Sequence, residues 1–194
     1  MNEKAKAFTL IELLVTLGII GVLAAIAVPN LLEAQTRSKV SKERANLRSI
    51  GTALESYRVD NLAYPFAALP INVLNGGKTL TPRIRRLIPL TTPVSYIIGI
   101  PEDTFNPSNS IEDKVVNYLD RESYFASNFY QNNPPSTAGA NINYFKKDPK
   151  YEWILMSFGP SRGRPNILDG LDNNDLYDPT NGTTSVGLIT RLGP

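Results

Sequence analysis

Between Leu13 and Val28 the chain carries no charged residue, and this run is entered directly from a carboxylate, Glu12. A stretch this apolar has to leave water, into lipid or into a core. In a helix rising about 1.5 Å per residue, Phe8–Leu32 spans about 37 Å, enough to cross a hydrocarbon layer of roughly 30 Å. Three plain uses compete. The segment can be a transmembrane anchor. It can be a secretory signal peptide, with Lys4 and Lys6 as basic region, Leu13–Ala24 as apolar region and Ala25-Ile26-Ala27 as cleavage site. It can be a core helix, although the rest of the chain is polar and rich in Asn, Pro and Tyr, and is poorly suited to surround it. None of the three explains Glu12. A carboxylate inside a bilayer costs on the order of 2.5–3.5 kcal/mol on insertion scales, and such residues normally have a partner and a task. A cut between Ala7 and Phe8 would create a positive amine just before Glu12, and a neighbouring copy could present that amine to this acid.

Composition narrows the field further. The 194 residues suit one domain plus an appendage. A net charge of +2 gives no global pull toward nucleic acid. With no cysteine there is no disulfide framework and no thiolate metal site. With no histidine the commonest general base and the commonest transition-metal ligand are both missing, which argues against an enzyme.

Ala7-Phe8-Thr9-Leu10-Ile11-Glu12-Leu13-Leu14 resembles the processing signal of type IV prepilins and type II secretion pseudopilins. The resemblance implies that a prepilin peptidase cuts before Phe8 at the cytoplasmic face and methylates the new amine. It also implies that Glu12 serves assembly, and that Gly21 and Pro29 mark a stretch that melts when the subunit leaves the bilayer for a fibre. Ala7 stands where the family usually has Gly, so slower cleavage is expected. Read from the residues alone, Gly18, Gly21 and Pro29 define only a weak point in a membrane helix. The resemblance places the leader inside and the rest outside. The charge count points the other way, because Arg37, Lys39, Lys42, Arg44 and Arg48 follow the span and only Lys4 and Lys6 precede it.

Beyond Pro29 the pattern turns amphipathic. Val40, Leu47, Ile50, Leu54 and Tyr57 share one helical stripe, with Lys39, Lys42 and Glu43 placed off it. One helix is therefore expected from Phe8 to about Asp60, ended by Asn61 and Tyr64-Pro65. The basic run reads as a solvated face, with anionic headgroups as a second role. Further on, Pro82–Ile88 reads as a short helix, Val94–Gly99 as a strand and Ser110 to about Leu119 as another short helix. Asn128–Asn141 reads as a loop, and Asn141–Lys146 and Lys150–Phe158 as paired strands against the long helix. Tyr57-Arg58-Val59-Asp60-Asn61, Tyr64-Pro65, Pro101-Glu102-Asp103-Thr104-Phe105 and Ile154–Pro160 resemble the landmarks of major pseudopilins. The chain is longer than the usual compact member, with the excess between Phe66 and Lys150.

Near the C-terminus, Asp169, Asp172, Asp175 and Asp178 recur every third residue, interleaved with Asn and Gly. Hard cations take six to eight oxygens, which such a loop can supply, but ordinary turn chemistry explains the same composition. The resemblance favours calcium here, because major pseudopilins hold it in their C-terminal loop.

The expectation is an α+β pilin-like subunit. It divides into a leader (1–7), a membrane and filament-core helix (8–32), an amphipathic half-helix (33–60) and a globular domain (61–194). The resemblance makes it a single-pass bacterial inner-membrane protein with a periplasmic C-terminal domain, assembled into a filament spanning the periplasm or outside the cell. Its partners would be other copies of itself, prepilin peptidase, an inner-membrane assembly platform and minor pseudopilins, with no specific nucleic acid. The pseudopilus of type II secretion is the first reading and a type IV pilus for adhesion, motility or DNA uptake the second. A secreted calcium-binding module released after Ala27 stands as a reading of another class.

Overall fold

A computed structural model describes residues 8–66, 68–69, 79–80, 83–110, 114–120, 150–162, 176–180 and 187–194. The chain divides into two compact units, 1–38 and 39–194. The long helix α1 runs Leu10–Asn61 with Pro29 inside it. In the first unit every residue from Phe8 to Leu32 is exposed, and this part of α1 is long and apolar enough to cross a membrane.

In the second unit α1 buries one stripe: Val40, Glu43, Leu47, Ile50, Gly51, Ala53 and Leu54. The expected apolar positions are there, and the basic residues Lys39, Lys42, Arg44 and Arg48 are exposed. Glu43, expected off the stripe, is instead buried. It lies three residues after Val40 and four before Leu47, so it fills a vacant place in the stripe's own 3–4 spacing. The helix ends as its residues dictate. The Asn61 side chain donates to the Tyr57 carbonyl at 2.9 Å, and the Leu62 amide bonds the Arg58 carbonyl at 2.8 Å. Leu62 takes the left-handed conformation, φ 58°, that closes a helix C-terminus.

Two strands, β1 (Ala68–Leu69) and β2 (Thr79–Leu80), pair antiparallel. The short helix α2 (Arg83–Leu87) follows and tightens into a 3₁₀ turn over Ile88–Leu90, as the Pro82 signal suggested. The main sheet is antiparallel in the order β3 (Asn117–Asp120), β4 (Trp153–Ser157), β5 (Ile189–Gly193). Tyr118 sits opposite Leu155, and Leu155 opposite Arg191. All five residues of β4 are buried, as its apolar alternation predicts for a strand covered on both faces.

Two expectations fail. Val94–Gly99 is not a strand. The Tyr96 and Ile97 amides both turn inward to the Leu90 carbonyl, at 2.9 and 3.2 Å, so this backbone is spent on a loop. The stretch ending near Leu119 is not a helix, because Asn117–Asp120 pairs with β4. The β-branched Val115 and Val116 that lead into it are buried, and they favour the extended chain. The expected loop at 128–141 and strand at 141–146 lie outside the described residues.

The core joins α1 to the sheet. Val40, Leu47, Ile50, Ala53 and Leu54 pack with Leu87, Leu90, Phe105, Tyr118, Trp153 and Leu155. At its centre the Trp153 indole lies in a slot made by two glycines. A β-carbon on Gly51 would meet the ring at 2.9 Å, and one on Gly193 at 1.9 Å. The indole N–H donates to Glu55 at 2.8 Å, and the Tyr64 hydroxyl donates to the same carboxylate at 3.1 Å.

Candidate functional site

The head of α1 is built around Thr9 and Glu12. A helix leaves its first amides without partners, and here a reciprocal cap satisfies them. The Thr9 amide and hydroxyl donate to Glu12 Oε2 at 2.9 and 2.7 Å, and the Glu12 amide returns a longer bond of 3.4 Å to Thr9 Oγ1. This is the capping box of Ser/Thr-x-x-Glu. Glu12 therefore has a task inside its own subunit, beyond the assembly role expected from the sequence. The signal was in plain view, since Thr9 stands three residues before Glu12 and directly ahead of an apolar run. Both bonds from Thr9 use Oε2. Among the described residues, no hydrogen bond to Oε1 is made, and Glu12 is exposed.

Behind this head the helix surface is apolar and exposed. Phe8 is 73% exposed and Leu10 81%, and the exposure continues through Leu31 and Leu32. A β-carbon on Gly18 or Gly21 would meet nothing within 4 Å, so neither glycine is needed for packing inside the subunit. Pro29 sits within continuous helix and withholds one amide from the Ala25 carbonyl. Glu12, Gly21 and Pro29 thus lie along one exposed helix, Phe8 lies exposed just before it, and Ala7 lies outside the described residues.

The C-terminal loop is described in part. Asp169, Asp172 and Asp175 lie outside the described residues. Asp178 accepts from the Thr180 amide and hydroxyl at 2.8 and 2.7 Å. These bonds, the hydroxyl's first, hold its carboxyl below the usual aspartate range. That is turn chemistry, and it occupies Oδ1. Among the described residues no group of three or more acidic side chains could hold a metal ion.

The landmarks after the helix act as structural joints. Tyr96 donates to Asp60 at 2.8 Å and meets the Tyr57 ring edge-on at 5.6 Å. Arg58 donates to Tyr64 at 2.9 Å and lies over its ring. The Tyr118 hydroxyl reaches the Pro65 carbonyl at 2.9 Å.

Known proteins resemble the chain at its head and beyond. Residues 3–28 match the model of the prokaryotic N-terminal methylation motif. The type II secretion system core protein G of Aeromonas hydrophila is 30% identical over 107 residues, 55% of this chain and 72% of that protein. The chain belongs to the core protein G family. Its counterpart from Klebsiella pneumoniae is 30% identical over 101 residues, 52% of this chain and 69% of the relative. The type IV major pilin PilA of Myxococcus xanthus is 48% identical, but over 56 residues, 29% of this chain and 26% of that pilin. Other core protein G relatives are matched over about half their length. No solved structure matches the chain. The long helix carrying a small antiparallel sheet is the pilin-like α+β architecture.

Proposed function

We propose that the chain is a structural subunit, cleaved before Phe8 and assembled from the inner membrane into a pseudopilus for type II secretion. The observation that carries this reading is the exposed apolar segment from Phe8 to Leu32 with one carboxylate near its start. In the bilayer, lipid covers that surface. In a filament, the same segments of neighbouring copies cover it, and packing between them supplies most of the cohesion. Glu12 can serve both states, since Oε2 caps its own helix while Oε1 is open to the Phe8 amine of a neighbour. In a water-poor core that attraction is weakly screened, so it selects the register of the incoming subunit. Gly21 and Pro29 supply the helix's low-propensity stretch for local melting during extraction.

Partners follow from this reading: a prepilin peptidase acting at Ala7–Phe8, an assembly platform in the inner membrane, minor pseudopilins and further copies of the chain. The 56-residue match to a type IV pilin supports a pilus for adhesion, motility or DNA uptake as the second reading. Deleting the gene separates the two: export fails in the first case, twitching or adhesion in the second. N-terminal sequencing of mature protein tests the common step. A methylated Phe8 is expected. A chain starting at Val28 would mean ordinary signal peptidase and would overturn the filament reading.

Calcium in the 169–178 loop is part of the same proposal. The donors are hard oxygens, the type calcium prefers. The loop sequence has few apolar residues with which to order itself. Ligand removal from a folded state lowers stability by RT ln(1 + [L]/Kd), about 2.7 kcal/mol at a hundredfold excess. A chelator is therefore expected to lower the thermal midpoint of the detergent-solubilised chain by about 5–11 °C. An unchanged midpoint leaves only turn chemistry for Asp169, Asp172, Asp175 and Asp178.

A further inference from the structure

Two ionisable acids are sealed in the second unit, and neither serves the head of the helix. Glu43 of α1 is 0% exposed and Asp103, in the turn before β3, is 2%. Together they staple α1 to the end of β4. Glu43 Oε1 accepts from the Thr104 amide at 2.9 Å and from the Thr104 hydroxyl. Its other oxygen meets Asn46 at 3.5 Å. Asp103 Oδ1 accepts from the Phe105 amide at 3.0 Å and the Ser157 hydroxyl at 2.9 Å, while Oδ2 accepts from the Phe158 amide at 3.0 Å. All these donors are neutral.

The charged groups nearby do not compensate. On α1, Lys39, Lys42 and Arg44 are exposed. Lys114, whose carbonyl accepts the Asp103 amide, pairs its ammonium with Glu102 at 3.0 Å, and both are well exposed. The Arg83 guanidinium of α2 lies 5.6 Å from the Phe158 ring centre. Arg86 is turned to Asn117 and the Tyr118 carbonyl. No cation among the described residues bonds to either buried carboxylate. A buried carboxylate held only by neutral donors, with no cation to pair with, is driven toward its protonated form.

The structure also provides a place for that proton. The Ser157 hydroxyl has two acceptors, Asp103 Oδ1 at 2.9 Å and the Phe158 carbonyl at 3.2 Å. Its single hydrogen can serve one at a time. If it turns to the carbonyl, Ser157 Oγ becomes free to accept from a protonated Asp103 Oδ1. The polar contacts survive and the charge is gone.

We propose that Asp103 takes up a proton and donates it to the Ser157 hydroxyl, making the staple between α1 and β4 a device that tightens in mild acid and loosens as the pH rises. Burial is the main force raising the Asp103 carboxyl above the usual aspartate range. The hydrogen bonds from Phe158, Phe105 and Ser157 oppose it, and the Glu43 charge adds to the rise. The sign follows from linkage. The folded chain binds the proton more tightly than the unfolded one, so the stabilisation is complete below the unfolded pKa. It is lost as pH rises through the raised folded value. The device belongs to the second unit and stands whether or not the chain forms filaments.

The test is the thermal midpoint of the full chain in detergent, followed from about pH 4 to pH 8. The wild type is expected to lose stability as pH rises. Asp103→Asn should remove most of that fall, and Glu43→Gln should move it to lower pH by removing the neighbouring charge. A flat wild-type profile, or the full fall retained in Asp103→Asn, overturns the proposal. Should a variant fail to fold, infrared titration of the wild type decides. A protonated carboxyl band is expected to persist above the pH at which exposed acids have ionised, and its absence overturns the proposal.

Discussion

Replacing Glu12 with alanine is expected to abolish filament assembly while leaving membrane insertion intact. Insertion should even improve, since a carboxylate costs on the order of 2.5–3.5 kcal/mol within a bilayer. The capping box complicates this experiment. Alanine removes both the charge and the bonds that Oε2 accepts from Thr9 at 2.9 and 2.7 Å. Loss of a helix cap costs about 1 kcal/mol and frays the first turn, which alone can misplace the Phe8 amine. Glu12→Gln separates the two effects. Glutamine also fills the last place of a capping box, so the turn stays formed while the charge is lost. If Glu12 acts through a neighbour's amine, Gln should fail as completely as Ala in an assembly assay, with both precursors found in the membrane. If Gln assembles normally and Ala does not, Glu12 is a helix cap and the pairing between copies is wrong. Thr9→Ala supplies the complement, since it removes the cap and keeps the charge.

This ambiguity shows what the residues make legible and where reading them stops. The apolar run after Glu12 declares a helix that needs covering, and the spacing of Val40, Leu47, Ile50 and Leu54 declares which face of its second half is buried. These signals are local and periodic, and both appear in the structure. β4 was legible for the same reason, because Trp153 to Met156 is apolar on both faces. Val94–Gly99 misled because β-branched residues state only a preference. The Leu90 carbonyl, which takes two amides from the loop, cannot be read from the loop's own composition. The stretch up to Leu119 misled in the opposite direction: a serine and two acids look like a helix start, while the pairing of Tyr118 with Leu155 comes from across the sheet. Glu43 is the instructive case. Its register on the stripe was plain, and its charge excluded it from the expected core. Burial becomes tolerable only because Thr104 brings two donors from far along the chain. At the candidate site, Glu12 stood out by its charge, whereas its cap lay in the ordinary residue Thr9.

The second large effect expected is on the fold. Trp153→Ala should cost about 3–5 kcal/mol, because it empties the centre of the core and removes the donor that Glu55 accepts at 2.8 Å. For a chain of this size that is a fall in thermal midpoint of roughly 6–20 °C. The indole slot has a sharper consequence at a residue with no side chain. A β-carbon on Gly193 would lie 1.9 Å from the indole Cε2, far inside van der Waals contact. Gly193 is on β5 opposite Trp153, so neither the strand nor the ring can move without breaking the register between β4 and β5. Gly193→Ala is therefore expected to cost about 3 kcal/mol or more, as overpacked cores do. In the double variant Gly193→Ala with Trp153→Phe, the smaller ring vacates the space that the methyl needs. The two changes should then cost clearly less together than the sum of each alone. Simple additivity would mean that Gly193 matters for strand conformation and that the indole slot is not what requires glycine there. Glu55 adds a check on the other edge of the ring. Trp153→Phe leaves its carboxylate with the Tyr64 hydroxyl, which lies 3.1 and 3.2 Å from its two oxygens and donates its one hydrogen between them. Glu55 is therefore not orphaned, and Trp153→Phe should cost less than the loss of a lone charged hydrogen bond plus cavity would suggest. Adding Tyr64→Phe removes that remaining donor, and the penalty for the pair should exceed the sum of the two single changes.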